Sequence, residues 1–261
     1  MSAAPLRRRV FGIAVDVIAP AETVARVMAW CRDAAPGHII VTPNLDHAVK
    51  LPRDAALRQA YGQAALVVPD GKPLVWMSRL DGGPPLHLVT GSDLIQPICA
   101  AAAAQARSVF LLGSRIEILQ AAAARLVALY PGLVVAGLHA PPMGFEQSEA
   151  EQRRAAELVR AAAPDILLVA LGSPKQELWA ANYAMATGAH AILCIGAGLD
   201  FIAGAVRRAP PAFRRFGAEW LWRAVSEPRR LGQRYLRILA ALPVLTIRHL
   251  AEQRRLPARE G

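Results

Sequence analysis

Polar side chains of the kinds that bind ligands or move protons recur just behind short apolar runs. Thr42, Asn44 and Asp46 follow His38–Val41, Asp70 follows Leu66–Val68, Gln176 and Glu177 follow Asp165–Leu171, and Gly196, Gly198 and Asp200 follow Ala191–Ile195. Carboxylates in such a set suit proton transfer. Each cluster also has a purely local reading. Asn44-Leu45-Asp46 fits turn chemistry, Asp70-Gly71 is a common turn pair, Gly196–Gly198 fits tight packing, and Lys175-Gln176-Glu177 fits the solvated first turn of a helix. Recurrence at four run ends is what favours a shared ligand edge over four unrelated turns.

The runs themselves explain how such distant residues meet. The stretch Pro164–Trp179, PDILLVALGSPKQELW, passes from a non-alternating apolar segment through Gly172-Ser173-Pro174 into a helix-like segment. Apolar strands without alternation are buried on both faces, which occurs mainly in parallel sheets covered by helices. In such a sheet all carboxyl ends lie on one edge, where ligands bind.

The rest of the chain alternates in the same sense. Strands are expected at Val10–Val17, His38–Val41, Leu66–Val68, Ser108–Leu112, Val134–Gly137 and Ala191–Ile195. Helices are expected at Ala21–Ala34, Asp54–Tyr61, Leu94–Ala106 with Ser92 as N-cap, the segment from Ser114 to Tyr130, and Ser148–Ala163. This pattern predicts an α/β, Rossmann-like fold with a largely parallel sheet and helices on both faces.

Composition narrows the class. With 261 residues there is room for one large α/β domain and an appendage. No run of about 18 apolar residues is present, as a membrane span would need. Asp16 interrupts the apolar run behind the basic N-terminus, which weakens a secretory-signal reading. Cys31, Cys99 and Cys194 lie far apart in apolar surroundings, as buried thiols of a reducing compartment do. Charge is unevenly placed: residues 207–261 hold 13 Arg and 4 Glu, a net +9, leaving +1 for residues 1–206. A basic tail on a neutral body suggests a surface that meets phosphates. The chain accordingly divides into a body, 1–206, and a helical C-terminal appendage, 207–261. In the appendage Tyr235–Leu250 interleaves apolar residues with Arg234, Arg237 and Arg248, as interfacial helices do, and Pro243 is expected to kink or split it.

Seven stretches together resemble the WecG/TagA/CpsF family, glycosyltransferase family 26. They are TPNLDHAVKL (42–51), VVPDGKPLVW (67–76), VTGSDL (89–94), VFLLGS (109–114), the Pro164–Trp179 stretch, CIGAGLDFIAGAVRRAP (194–210) and GAEWLWRAVSEPRRLGQRYL (217–236). The resemblance implies an inverting transferase that moves a sugar from a UDP-sugar donor to a polyprenyl-diphosphate-linked saccharide, for cell-surface polysaccharide. It also implies a location at the cytoplasmic, inner face of the plasma membrane, with the appendage closing the active site and attaching to that surface. Asp70 matches the family's proposed base, Thr42 lies in the motif facing it, and Gln176 matches a substrate-contacting glutamine. Asn44, Asp46, Glu177, Gly196, Gly198 and Asp200 are the accompanying binding candidates.

No cofactor or metal is expected, since an Asp-x-Asp pair is absent. Arg207, Arg208, Arg214, Arg215 and Arg223 are the natural neutralisers of a leaving diphosphate, because a guanidinium matches phosphate oxygens in bidentate fashion. The chain departs from the family where an arginine usually precedes VTGSDL: here stands Leu88, after His87, so either His87 or a tail arginine takes over. Pro69 and Lys72-Pro73 also differ, which bears on the donor sugar. Two other classes compete: a catalytically silent nucleotide-sugar-binding protein of the same fold, and a nucleic-acid-binding protein. The latter lacks a basic, aromatic-studded strand platform or a helix-turn-helix or zinc-finger spacing, so no nucleic acid is expected. Homo-oligomerisation is left open.

Overall fold

The computed structural model describes residues 4–33, 35–80, 82–206, 209–210, 213, 222 and 228–255. Its centre is a six-stranded, all-parallel sheet ordered β4-β3-β8-β7-β5-β6. The strands are β3 (His38–Val41), β4 (Leu66–Val67), β5 (Ser108–Gly113), β6 (Val134–His139), β7 (Ile166–Ala170) and β8 (Ala191–Cys194). Successive side chains of a strand point to opposite faces. Leu167, Val169, Ile192, Cys194, Ile39 and Val41 therefore enter one core layer, and Ile166, Leu168, Ala191, Leu193 and Ile40 the other. Two dry layers explain why these strands do not alternate in sequence.

Helices cover both faces. The first layer is closed by α2 (Leu45–Lys50), α3 (Ala55–Gln63), α4 (Lys72–Leu80), α7 (Glu149–Ala162) and α8 (Lys175–Thr187), the second by α1 (Pro20–Trp30), α5 (Gly91–Ala104), α6 (Ile116–Leu129) and α9 (Gly198–Ala203). The final helix, α10 (Pro228–Arg255), lays Leu242 and Leu245 on the first layer and buries Ile238 and His249.

Four details depart from expectation. The strand expected over Val10–Val17 is instead the second half of a hairpin, β1 (Arg7–Val10) and β2 (Ile13–Asp16). Its two turn residues, Phe11 and Gly12, have φ of 49° and 78°, the mirror-image turn that suits the strand twist. The basic N-terminal patch is consequently structural: Arg8 is buried and donates to the Ser78 and Pro84 carbonyls, and Arg7 pairs with Asp16 at 2.7 Å. Helix α5 begins three residues early, at Gly91, with Thr90 rather than Ser92 as cap; the Thr90 hydroxyl accepts from Asp93 N at 3.1 Å. Helices α2 and α4, which no expectation covered, follow directly on the polar ends of β3 and β4. Finally, α10 runs unbroken through Pro243. Pro243 lies on the exposed side, where the carbonyl that loses its donor can turn to water.

At the opposite edge of the sheet, Asp165 ties β7 to β5. It accepts from Ser108 N at 2.8 Å, Ser108 Oγ at 3.1 Å and Arg107 at 2.9 Å. Burial alone would raise its carboxyl, and these bonds hold it below the usual range instead.

Candidate active site

The carboxyl ends of β3, β4 and β8 and the start of α5 are knitted together by short polar contacts. Thr42 Oγ1 donates to the Cys194 carbonyl at 3.0 Å, linking β3 to β8. Asp70 N donates to the Pro43 carbonyl at 2.7 Å, linking β4 to β3, and Val89 N donates to Pro69 at 3.0 Å. Gly91 closes the ring: a Cβ there would stand 3.0 Å from Ile195 Cα and 3.2 Å from Thr42 Oγ1, so a side chain would wedge α5 away from both strands. Residues Thr42, Asn44, Asp70 and Gly196, separated by up to 154 positions, thus share one rim.

Below that rim lies a buried network with Glu177 at its centre. The Glu177 side chain has no exposed surface. Its Oε1 accepts from Gln176 Nε2 at 2.9 Å and lies 3.3 Å from His47 Nε2. Burial by itself would raise this carboxyl. The bond and charge of His47, with the Gln176 bond, outweigh it and hold Glu177 below its ordinary range. His47 Nδ1 lies 3.1 Å from Asn44 N and 3.2 Å from Asn44 Oδ1, so the ring bridges the Asn44 loop and Glu177. Asn44 is the N-cap of α2, its side chain accepting from Asp46 N at 3.0 Å. On the other side Gln176 Oε1 accepts from Gly196 N at 3.0 Å, where φ is 55°. The network therefore sets both the Asn44 loop and the glycine turn.

The other candidate residues differ in their surroundings. Glu177 is enclosed by protein and bonded to His47 and Gln176. Gln176 is also buried, with both ends of its amide committed to the protein, so it braces the Gly196 turn. Asp46 is buried in ion pairs with Lys50 at 2.6 Å and Arg234 at 3.3 Å. Gly198 serves close packing, since a Cβ would meet Ile95 Cδ1 at 2.6 Å. Asp200 turns toward β5, accepting from Ser114 Oγ at 3.4 Å. His87 is exposed between α4 and α5, and Leu88 packs on the first core layer. Arg207, Arg208, Arg214, Arg215 and Arg223 lie outside the described residues.

Two participants carried little sequence signal. His47 sits three residues beyond Asn44, a capping-box spacing, but its Glu177 partner is 130 positions away. Arg234, expected among lipid-facing arginines, instead reaches from α10 to within 3.5 Å of Asn44 Oδ1. Near the rim, burial pushes the Tyr61 phenol well above its ordinary value, and the charges of Glu177, Asp70 and Asp46 add to the effect. Among the described residues no three His, Cys, Asp or Glu side chains cluster as metal ligands would.

A parallel sheet with polar groups gathered at the carboxyl ends of β3, β4 and β8 is an α/β fold of the ligand-edge type. The sequence places it more narrowly: residues 8–256 match the model of the glycosyl transferase WecG/TagA/CpsF family, and the chain belongs to that family. It is a glycosyltransferase. An N-acetylglucosaminyldiphosphoundecaprenol N-acetyl-beta-D-mannosaminyltransferase from Bacillus spizizenii is 29% identical over 198 residues, 76% of this chain and 75% of that protein. The enzyme of the same name from Staphylococcus aureus strain MW2 is 29% identical over 194 residues, 74% of each.

Proposed function

We propose that this glycosyltransferase moves an N-acetylhexosamine of the N-acetylmannosamine type from a UDP-sugar to a polyprenyl-diphosphate-linked saccharide, with inversion. The two relatives named above carry that sugar and that acceptor class in their names. The observation that carries the reading is the rim itself: Asp70 is held beside Pro43-Asn44 by a backbone bond, with Thr42 joined to β8 next to it. In the step, Asp70 takes the proton from the acceptor hydroxyl. That oxygen forms the new bond to the anomeric carbon from the face opposite UDP, and UDP leaves with the electron pair of the broken C–O bond. Arginines of the tail neutralise the departing diphosphate, and Arg234, already at Asn44, fills the role that an arginine before VTGSDL has in the family.

Residues 1–206 form the catalytic body in this reading, and residues 207–261 the attachment to the inner face of the plasma membrane. Among the described residues no helix is long and apolar enough to cross a membrane. Helix α10 instead exposes Leu236, Leu239, Ile247 and Leu250 at helical spacing, with Arg237 and Arg248 beside them, as a helix lying in an anionic interface would.

The test is acceptor-dependent UDP release with a short-chain polyprenyl-diphosphate N-acetylglucosamine and a panel of UDP-hexoses. Asp70→Asn keeps the fold and UDP-sugar binding and loses about 100- to 10,000-fold in turnover. Near wild-type turnover in that variant overturns the assignment.

A further inference from the structure

Between α2 and α10 runs a groove of about 590 Å³, the size of a small-molecule site. Its walls are Ala48 and Val49 from α2 and Ala240, Ala241, Val244 and Leu245 from α10, while Arg53, Arg237 and Arg248 stand around it. None of these three arginines forms an ion pair with a described carboxylate. Small residues on both walls leave room for a slender apolar chain, and the arginines supply charge for an anionic one.

Position decides which chain. One wall is α2, whose N-cap Asn44 belongs to the rim of the active site; six residues of helix span only about 9 Å. The groove's Arg237 lies one turn beyond Arg234, which contacts Asn44 and Asp46. On α10 the groove residues Arg237, Ala241, Val244 and Arg248 occupy the flank between the buried face (Ile238, His249) and the exposed stripe of Leu236, Ile247 and Leu250. The groove therefore begins about one helical turn from the rim, at Ala48 and Arg237, and runs beside the exposed apolar stripe. A bulk phospholipid has no reason to reach the rim, whereas an acceptor must have its sugar at the rim and its tail in the membrane.

We propose that this groove seats the first isoprene units of the polyprenyl-diphosphate acceptor, with Arg237 toward its phosphates. The proposal rests on the acceptor class given above. Val49, Ala241, Val244 and Leu245 line the chain, and Arg53 and Arg248 flank it.

The experiment is calorimetric binding of farnesyl diphosphate, which carries no sugar, to the full chain, beside inorganic pyrophosphate and short-chain phosphatidylglycerol. Wild type binds farnesyl diphosphate more tightly than pyrophosphate, and phosphatidylglycerol does not displace it. Val244→Asp, at a half-exposed position that tolerates charge, weakens farnesyl diphosphate about tenfold or more by placing a carboxylate in the apolar wall. Ala241→Trp, which fills the groove, does the same, and both leave UDP-sugar affinity unchanged. Equal affinity for pyrophosphate, equal displacement by phosphatidylglycerol, or no loss in either variant overturns the proposal. The two readings fail separately. Asp70-dependent transfer that is indifferent to Val244→Asp and to acceptor chain length removes the groove alone; groove-dependent farnesyl binding without transfer to any acceptor removes the transferase reading alone.

Discussion

Glu177 and Asp70 show how two acidic residues behind strands of one sheet come to stand in different surroundings. Asp70 stands at the rim, partly open, whereas Glu177 is sealed beneath it and bonded to His47 and Gln176. Burying a charge is tolerated only when it is paired, and removal of one partner leaves the other uncompensated. Glu177→Ala is expected to cost about 3–5 kcal/mol in urea denaturation at neutral pH. Glu177→Gln, which keeps the volume and removes the charge, is expected to cost less while disturbing the Asn44 loop, read as a raised KM for the donor with a smaller change in kcat. Unchanged stability in both variants would show that the network is not what holds the two loops. The residue types at these positions were legible in the sequence as polar groups at strand ends. Their exposure was not, because it depends on α2 closing over α8 with His47, a contact between residues 130 positions apart.

At the scale of elements, sequence patterns located most strands and helices, and failed where a local signal has two solutions. Val10–Val17 is apolar apart from Asp16, and only Gly12 marks the reversal that makes it a hairpin. Thr90 and Ser92 are both good caps; Thr90 wins because Gly91, inside the helix, fits against Ile195. Thr90→Ala is expected to destabilise by about 1 kcal/mol, seen as a lower thermal midpoint, while Ser92→Ala is expected to be nearly neutral. Helix α10 presents its Leu236–Leu250 stripe to solvent although Leu242 and Leu245 already satisfy the core. The double variant Leu236→Ser/Ile247→Ser is therefore expected to stay folded and to lose co-sedimentation with anionic vesicles, and raised salt is expected to weaken the wild-type association. Retained sedimentation in the double variant would place the attachment elsewhere.

For the molecule as a whole, acid and thiol chemistry report on the same packing. Glu177 and Asp165 are both held below the usual carboxylate range. Their contribution to stability is complete above the ordinary values of about 4, and is lost as pH falls through the depressed folded values. The urea midpoint is expected to stay level near neutrality and to fall below about pH 4, less steeply in Glu177→Gln. Burial pushes Cys31 to about 11 and Cys99 to about 12, and holds Cys194 well above the ordinary thiol value. At pH 8 a thiol reagent is expected to label none of them in minutes and all three after unfolding; rapid labelling of the native protein would contradict the two-layer core.

The sequence by itself determined the parallel α/β architecture, because doubly buried strands cannot alternate, and it determined the family, because seven ordered motifs span the chain. It also set which residue types stand at the strand ends. Only the tertiary structure decided which of them are enclosed: Asp46, Gln176 and Glu177 are engaged by partners from α2, the Gly196 turn and α10, while Asp70 stays at the rim. Periodicity fixes which face of an element is apolar, but pairing between polar groups more than a hundred positions apart depends on how loops and helices meet, and no local pattern encodes that.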